Sequence, residues 1–463
     1  MFKKLAFALT LIMVMVITAC GPAATEAPPE ATEPPAGQAT EPPAAGPAIT
    51  ELTILWAQWS PADYLQQIGN LYEQETGITV TVVQEPWGSF GDRFNVEMAA
   101  GGDAWDMVVG DSQWIGQGAT NGYYVDLTDF MVSNGINTSV TPATLQYYGE
   151  YPGGSGKYYA YPTEGDADGW AYRKDLFEDP ANMAAFKTQY GYDLAVPTTW
   201  AQLKDIGTFF TQPANNLYGV AIYTQKDYDA ITMGFENIMF SWGGKWQAAD
   251  NTVEGVVNSP AMVEALQYYR DLYDCCQVPG LNNAFYTETN DAMIGGQAAM
   301  IMNYFAFFPA LANPSTNPYA NVTGYFANPA GPTGIRKAAL GGQGTSVISF
   351  ISAERQAASL EFIKWFAQED IQAQWAALGG YTCNANVLAT QAFLDATPYN
   401  PAFATTMTFV MDFWNIPTYG ALLTPAQNYL SAFVVEGVGT AKEALDNIAA
   451  EQTAALKADG VIP

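Results

Sequence analysis

The sequence predicts a mixed α/β fold in which parallel strands alternate with helices, and three observations carry that prediction. Leu52–Trp56 and Ile78–Val83 are strand-like runs, the second rich in β-branched residues. Between them, residues 62–76 show a helical pattern closed by Gly77, where a helix takes a left-handed cap. A short apolar run, Met107–Val109, then opens into Gly110-Asp111. Strand, helix and strand in that order build βαβ units. Ligands of such sheets lie beyond the carboxyl ends of the strands. Trp56 to Trp59, Trp87 and Gly110 to Trp114 stand just past such ends.

Ahead of the first strand, Lys3 and Lys4 precede an apolar run of 13 residues, Leu5–Ile17. That is a signal-peptide pattern, too short for a comfortable permanent span. It ends in Ile17-Thr18-Ala19-Cys20, which resembles a bacterial lipobox. Residues 1–19 are then a removable leader and Cys20 carries lipid. The alternative is an ordinary cleaved signal with an incidental cysteine. Residues 20–48 read as a tether. After Cys20 it holds only Ala, Pro, Thr, Glu, Gly and Gln, with ATEPP at 31–35 and at 39–43. Nothing there builds a core, and its prolines favour extended spacing. The folded body is expected over 49–463, long enough for two lobes. No further stretch reaches spanning length, so membrane contact is expected through lipid on Cys20 only.

Later elements announce themselves by their caps. Thr199 with Gln202 forms a capping box before a helix from Trp200, and Thr440 with Glu443 forms another, with Leu445 and Ile448 facing in. Ser259-Pro260 opens a helix whose apolar stripe is Val263, Leu266, Tyr269 and Tyr273. Residues 355–378 read as one helix ending at Gly379-Gly380.

Composition removes several functions. The net charge is −29, or −31 once Lys3 and Lys4 leave with the leader, which argues against nucleic acid and anionic lipid headgroups as partners. There is no histidine, so Ser-His-Asp and Cys-His catalysis and His-based metal sites are excluded. Besides Cys20 there are Cys275, Cys276 and Cys383. Either one of the adjacent pair bridges to Cys383, or the neighbours bridge each other. Their spacing suits no zinc site. No cofactor and no metal are expected. Twelve Trp and 27 Tyr serve mostly the core, yet such rings also line carbohydrate sites.

The order of motifs resembles one family, the family-1 extracellular solute-binding proteins of ABC importers, which includes maltose- and other sugar-binding proteins. Gly156–Pro162 (GKYYAYP) is similar to its G-K-x-Y-x-x-P segment. Ala171–Phe177 (AYRKDLF) follows where the family has Y-N-K-D-L-F, with Arg173 in place of the usual Asn. Pro197–Trp200 (PTTW), Gly295–Met300 (GGQAAM) and Gly341–Ser349 (GGQGTSVIS) resemble three further segments in family order. The resemblance runs from about residue 50 to 460. It implies a two-lobed, type II periplasmic-binding-protein-like fold, with crossing hinge strands between the lobes. Lobe one would take about 49–162 and 329–380, and lobe two about 163–328 and 381–463. It also implies a monomer that captures a small carbohydrate, without catalysis, and passes it to the importer's membrane subunits.

A sugar offers apolar C–H faces to aromatic rings and hydroxyl pairs to carboxylates and amides. On that chemistry the candidates are Trp56, Gln58 and Trp59 after the first strand, Trp87 on a loop, and Asp111 and Gln113. Core packing for a tryptophan and helix capping for Asp111 are the structural alternatives. Glu164, Asp166 and Asp168 share one face of an extended chain, where the resemblance places the hinge wall. With Gly169 and Asp175 they also copy EF-hand spacing, off-pattern at the first and last positions. From the second lobe come Glu236, Trp242 and Tyr304; Gly342 and Gln343 are read as offering a backbone N–H and an amide. Trp414 and Tyr419 are assigned to the core. Two rivals remain. A phosphodiester site would recruit Arg93, Arg173 or Arg336. A glycoside hydrolase would pair Asp166 with Asp111 or Glu236.

Overall fold

The computed structural model describes residues 49–463 apart from Tyr228; the leader, Cys20 and the tether lie outside the described residues. Its strands, in chain order, are β1 (Glu51–Ala57), β2 (Thr79–Glu85), β3 (Met107–Asp111), β4 (Tyr161–Glu164), β5 (Asp168–Arg173) and β6 (Tyr218–Ala221). Then come β7 (Ala298–Tyr304), β8 (Thr323–Ala327), β9 (Ala338–Ala339), β10 (Gln343–Val347) and β11 (Val410–Met411). One sheet has the order β2-β1-β3-β10-β4, a second β6-β7-β5-β8. β1 runs parallel to β2 and β3, as the alternation predicts. β10 enters from far along the chain and lies antiparallel between β3 and β4. Local periodicity cannot show such a strand, because its partners are remote in sequence.

Capping chemistry places the helices. Helix Ser60–Thr76 has proline in its first turn and ends at Gly77, at φ 77°, whose N–H reaches the Glu73 carbonyl at 2.8 Å. Both predicted capping boxes form, at Thr199/Gln202 and Thr440/Glu443. The stretch 355–378 is instead two helices, Ala353–Phe366 and Glu369–Leu378. The Gln372 side chain reaches back to the Phe366 carbonyl at 2.8 Å and satisfies an acceptor that the break would leave open.

Side chains bury against both faces of both sheets. Leu52, Ile54 and Leu55 of β1 join Ile68, Val108, Phe362 and Trp375 in one core; Trp170 of β5 and Met300 of β7 join Trp200, Phe235, Tyr269 and Leu445 in another. Three segments cross between the sheets. Residues 165–167 lead from β4 to β5, residues 328–342 lead from β8 to β10, and residues 379–384 follow helix Glu369–Leu378. They lie side by side. The Gly165 N–H donates to Tyr381 O at 2.6 Å, and the Gly341 N–H donates to Asp166 O at 3.0 Å. Cys275 and Cys276 bridge each other and Cys383 stays free and buried, which decides between the two pairings left open by the sequence.

Candidate functional site

Strand ends and crossing segments converge on a cavity of about 240 Å³. From the first sheet come Trp59 beyond β1, Trp87, and Asp111 to Gln113 at the end of β3. From the second come Gln225 beyond β6, Asp229 and Met233, Phe285, Tyr286, Tyr304 at the end of β7, and Phe307. The crossings add Asp166 and Leu340 to Gly342, and the chain past β11 adds Asp412 and Phe413. Helix Ala230–Ser241 starts at Asp229, held in the left-handed region at φ 51°. That conformation is uncommon outside glycine. Here the Tyr419 hydroxyl, at 2.6 Å, and the Gln113 amide, at 3.1 Å, both donate to the Asp229 carboxylate. Gln113 therefore joins a first-sheet strand end to the second-sheet side.

Seven of the residues singled out from sequence line this cavity: Trp59, Trp87, Asp111, Gln113, Asp166, Tyr304 and Gly342. Trp87 begins helix Trp87–Ala99 instead of sitting on a loop. The other seven do not line it. Trp56 is fully buried, packs on Trp375 and donates to Gln343, whose own amide donates to Asp111. Gln343 is thereby spent inside the protein. Gln58 points to solvent. Glu164 is fully buried beneath the Tyr381 N–H, and Asp168 accepts from Asn237 at 2.6 Å. These two acids belong to strands of different sheets, so the EF-hand spacing does not form a loop. Glu236 accepts from the Trp246 indole at 2.5 Å, and Trp242 packs on Tyr268. Gly342 reaches the cavity, but its N–H donates to the Tyr148 hydroxyl at 2.5 Å and is not offered to a ligand. Asp111 does not cap the following helix, which has Gln113 at its start and no side-chain cap.

The sequence reading missed Gln225, Asp229, Phe285, Tyr286, Phe307 and Asp412. Gln225 and Asp412 follow strand ends, so the rule that found Trp59 would have found them had β6 and β11 been read as strands. The three arginines that a phosphodiester would recruit are occupied. Arg93 pairs with Glu85, Arg173 pairs with Asp175 at 2.6 Å, and Arg336 donates to Asn328 O at 2.5 Å. Among the described residues lining the cavity there is no Lys or Arg.

The electrostatics follow from that lining. Burial pushes the Asp229 carboxyl up to about 6, against the hydrogen bonds from Tyr419 and Gln113. Burial pushes Asp412 up to about 7, against bonds from Ser112 and the Phe413 N–H, with the Asp229 charge adding to the rise. Burial pushes Asp166 up to about 8, against the N–H groups of Ala167, Ala306 and Phe305. An unfolded aspartate titrates near 3.9, so the folded protein binds more protons than the unfolded chain between about pH 4 and pH 8. Stability then falls as pH rises through that window. The expected result is a melting temperature for ligand-free protein that is higher at pH 5 than at pH 8, with a shallower slope in Asp166→Asn. A flat or rising profile between those values would contradict the assignment.

The comparisons with known proteins agree with this geometry. A probable ABC transporter-binding protein of Deinococcus radiodurans is 25% identical over 311 residues, covering 66% of this chain and 70% of that one. The fold is similar to a ribitol-bound ABC transporter solute-binding protein from Agrobacterium radiobacter, with TM-score 0.73 and 23% identity over 89% of this chain and 99% of that one. It is similar also to a maltose-bound MalE3 from T. maritima, with TM-score 0.73 and 23% identity over 87% of this chain and 99% of that one. These likenesses fit the two-lobed α/β architecture expected from the motifs. The description "Bacterial extracellular solute-binding protein" matches residues 58–373, and the chain belongs to that family.

Proposed function

We propose that this chain is the binding component of an ABC importer and captures a small carbohydrate or polyol between two lobes, without chemistry. The observation that carries the reading is the cavity lining, with Trp59 and Trp87 on one side, Tyr286, Phe307 and Tyr304 on the other, and aspartates between them. Rings suit the C–H faces of a sugar, and carboxylates accept from its hydroxyls. At about 240 Å³ the cavity lies below the roughly 300–1,000 Å³ of drug-sized sites, which suits one ring or a short polyol. Maltose and ribitol in the structural relatives support the same ligand class. The lobes are assigned to the two sheets, with about 49–162 and 329–380 in the first and about 163–328 and 381–463 in the second. Closure over the ligand then presents the form that the membrane subunits recognise. Lipid on Cys20 would hold the protein at the outer face of the membrane. Among the described residues no helix is long and apolar enough to cross one.

The test uses residues 49–463 in thermal unfolding against monosaccharides, disaccharides, polyols, glycerol phosphodiesters and amino acids. A ligand that binds only the folded state adds about 2.7 kcal/mol at a hundredfold excess over Kd. A sugar or polyol that raises the midpoint and is recovered intact by mass spectrometry supports capture. A sugar recovered cleaved would replace this reading with the hydrolase. A phosphodiester that binds while sugars do not would keep the fold and remove the ligand class.

A further inference from the structure

The cavity gathers three carboxyl groups with no cation beside them among the described residues. Asp166, Asp229 and Asp412 are each at least nine-tenths buried and line the same small space. Their hydrogen-bond partners are neutral: the Ala167, Ala306 and Phe305 N–H groups for Asp166, Tyr419 and Gln113 for Asp229, and Ser112 and the Phe413 N–H for Asp412. None of the three takes part in an ion pair among the described residues. Burying an ionised carboxylate without a cation costs several kcal/mol per ion. The charge that reaches Asp412 from its surroundings is that of Asp229, which makes matters worse. Burial answers this by holding protons on the carboxyls, and Asp229, raised only to about 6, is the one that ionises first. A neutral hydroxylated ligand can donate hydrogen bonds here but supplies no cation for it, whereas a protonated amine does.

The walls favour the same partner. Trp59 and Trp87 meet edge to face with ring centroids 5.4 Å apart, and Tyr286 stacks on Phe307 at 4.1 Å. Aromatic faces attract an ammonium group, by about 0.5–1 kcal/mol at exposed sites and about 2 kcal/mol or more when it is desolvated. The same rings leave the hydroxyl-bearing remainder of a sugar a surface to lie on. Gln225 adds a neutral polar group for hydroxyls. Charge compensation and ring attraction thus act on one ligand atom, a nitrogen.

We propose that the ligand is an amine-bearing sugar or polyol, a small hydroxylated molecule with one protonated nitrogen set among Asp166, Asp229 and Asp412. This inference rests on the carbohydrate reading of the cavity and narrows it.

The experiment is calorimetric titration of residues 49–463 at pH 7 with D-glucosamine, D-galactosamine and D-mannosamine, each beside its parent hexose and its N-acetyl derivative. Glucamine beside sorbitol, and putrescine alone, complete the set. The expected result is that at least one free amine binds at least about tenfold tighter than both its neutral parent and its N-acetyl form. Asp229→Asn and Asp412→Asn should each weaken the amine more than its neutral parent, so that the ratio of the two affinities falls. The wild-type ranking needs no variant to fold. If neutral sugars or polyols bind as tightly as the amines, this inference is overturned and the carbohydrate reading stands. If putrescine binds while every sugar and polyol is silent, or nothing binds, both are overturned.

Discussion

Trp56→Ala should unfold at markedly lower denaturant than the wild type, whereas Trp59→Ala should unfold almost normally and lose its ligand. The two tryptophans differ by three positions and by role. Trp56 is at 0% exposure, against Trp375 at 6.4 Å, with its indole N–H given to Gln343. Truncating a fully buried tryptophan leaves a cavity and costs about 3–5 kcal/mol. The Gln343 amide, which also holds Asp111, loses its acceptor's partner, so strand ends of β3 and β10 loosen together. Trp59 is half-buried and shows its ring to the cavity. Its loss should weaken ligand binding by at least about tenfold, in the range of an aromatic anchor. Equilibrium unfolding and calorimetry on both variants check the pair. Equal losses of stability would mean that Trp59 is a core residue and that the wall is misassigned.

The second large effect is expected far from the cavity. Arg355 donates to Asp106 twice, Nε to Oδ1 at 2.5 Å and Nη2 to Oδ2 at 2.7 Å. Asp106 is 1% exposed and also accepts from the Thr53 N–H at 2.7 Å. The pair ties helix Ala353–Phe366 to the sheet between β1 and β3. Arg355→Met leaves a buried carboxylate without its cation, and breaking such a pair by removing one partner costs about 3–5 kcal/mol. Arg355→Lys should recover only part of this, because an ammonium cannot reproduce the two-pronged geometry. Ligand affinity of the folded fraction should not change. A loss below about 1 kcal/mol in chemical unfolding would place the pair among ordinary surface ion pairs.

Legibility in the sequence followed distance along the chain. β1, most of helix Ser60–Thr76, β2 and β3 were readable because each signal is local: a strand run, a helical pattern over 62–76, a glycine cap. So were the capping boxes at Thr199 and Thr440. The place of β10 between β3 and β4 was not, because no local pattern encodes a partner that far away. The site divided in the same way. Strand-end reasoning found Trp59, Trp87, Asp111 and Gln113. It failed at Trp56, as the family resemblance did at Gln343, since which of several adjacent polar or aromatic side chains faces the cavity depends on tertiary contacts. Carboxylates were overcounted for a related reason. Glu164 and Asp168 look like ligands in the sequence, yet each has a buried partner, Tyr381 or Asn237, that only the fold supplies. Asp229 was invisible because its position is set by Gln113 and Tyr419, from remote parts of the chain.

The position of β10 also orders the life of the chain in time. β10 sits inside the first sheet, with β3 on one side and β4 on the other. Gln343 meets Asp111 across a separation of 232 residues. A polypeptide growing from its N-terminus therefore carries β1, β2 and β3 for a long interval with the edge of β3 unpaired. Contacts of such long range also slow folding, since a large loop must close before any of them forms. The first sheet therefore cannot be completed until β10 has been made, however early β1, β2 and β3 emerge.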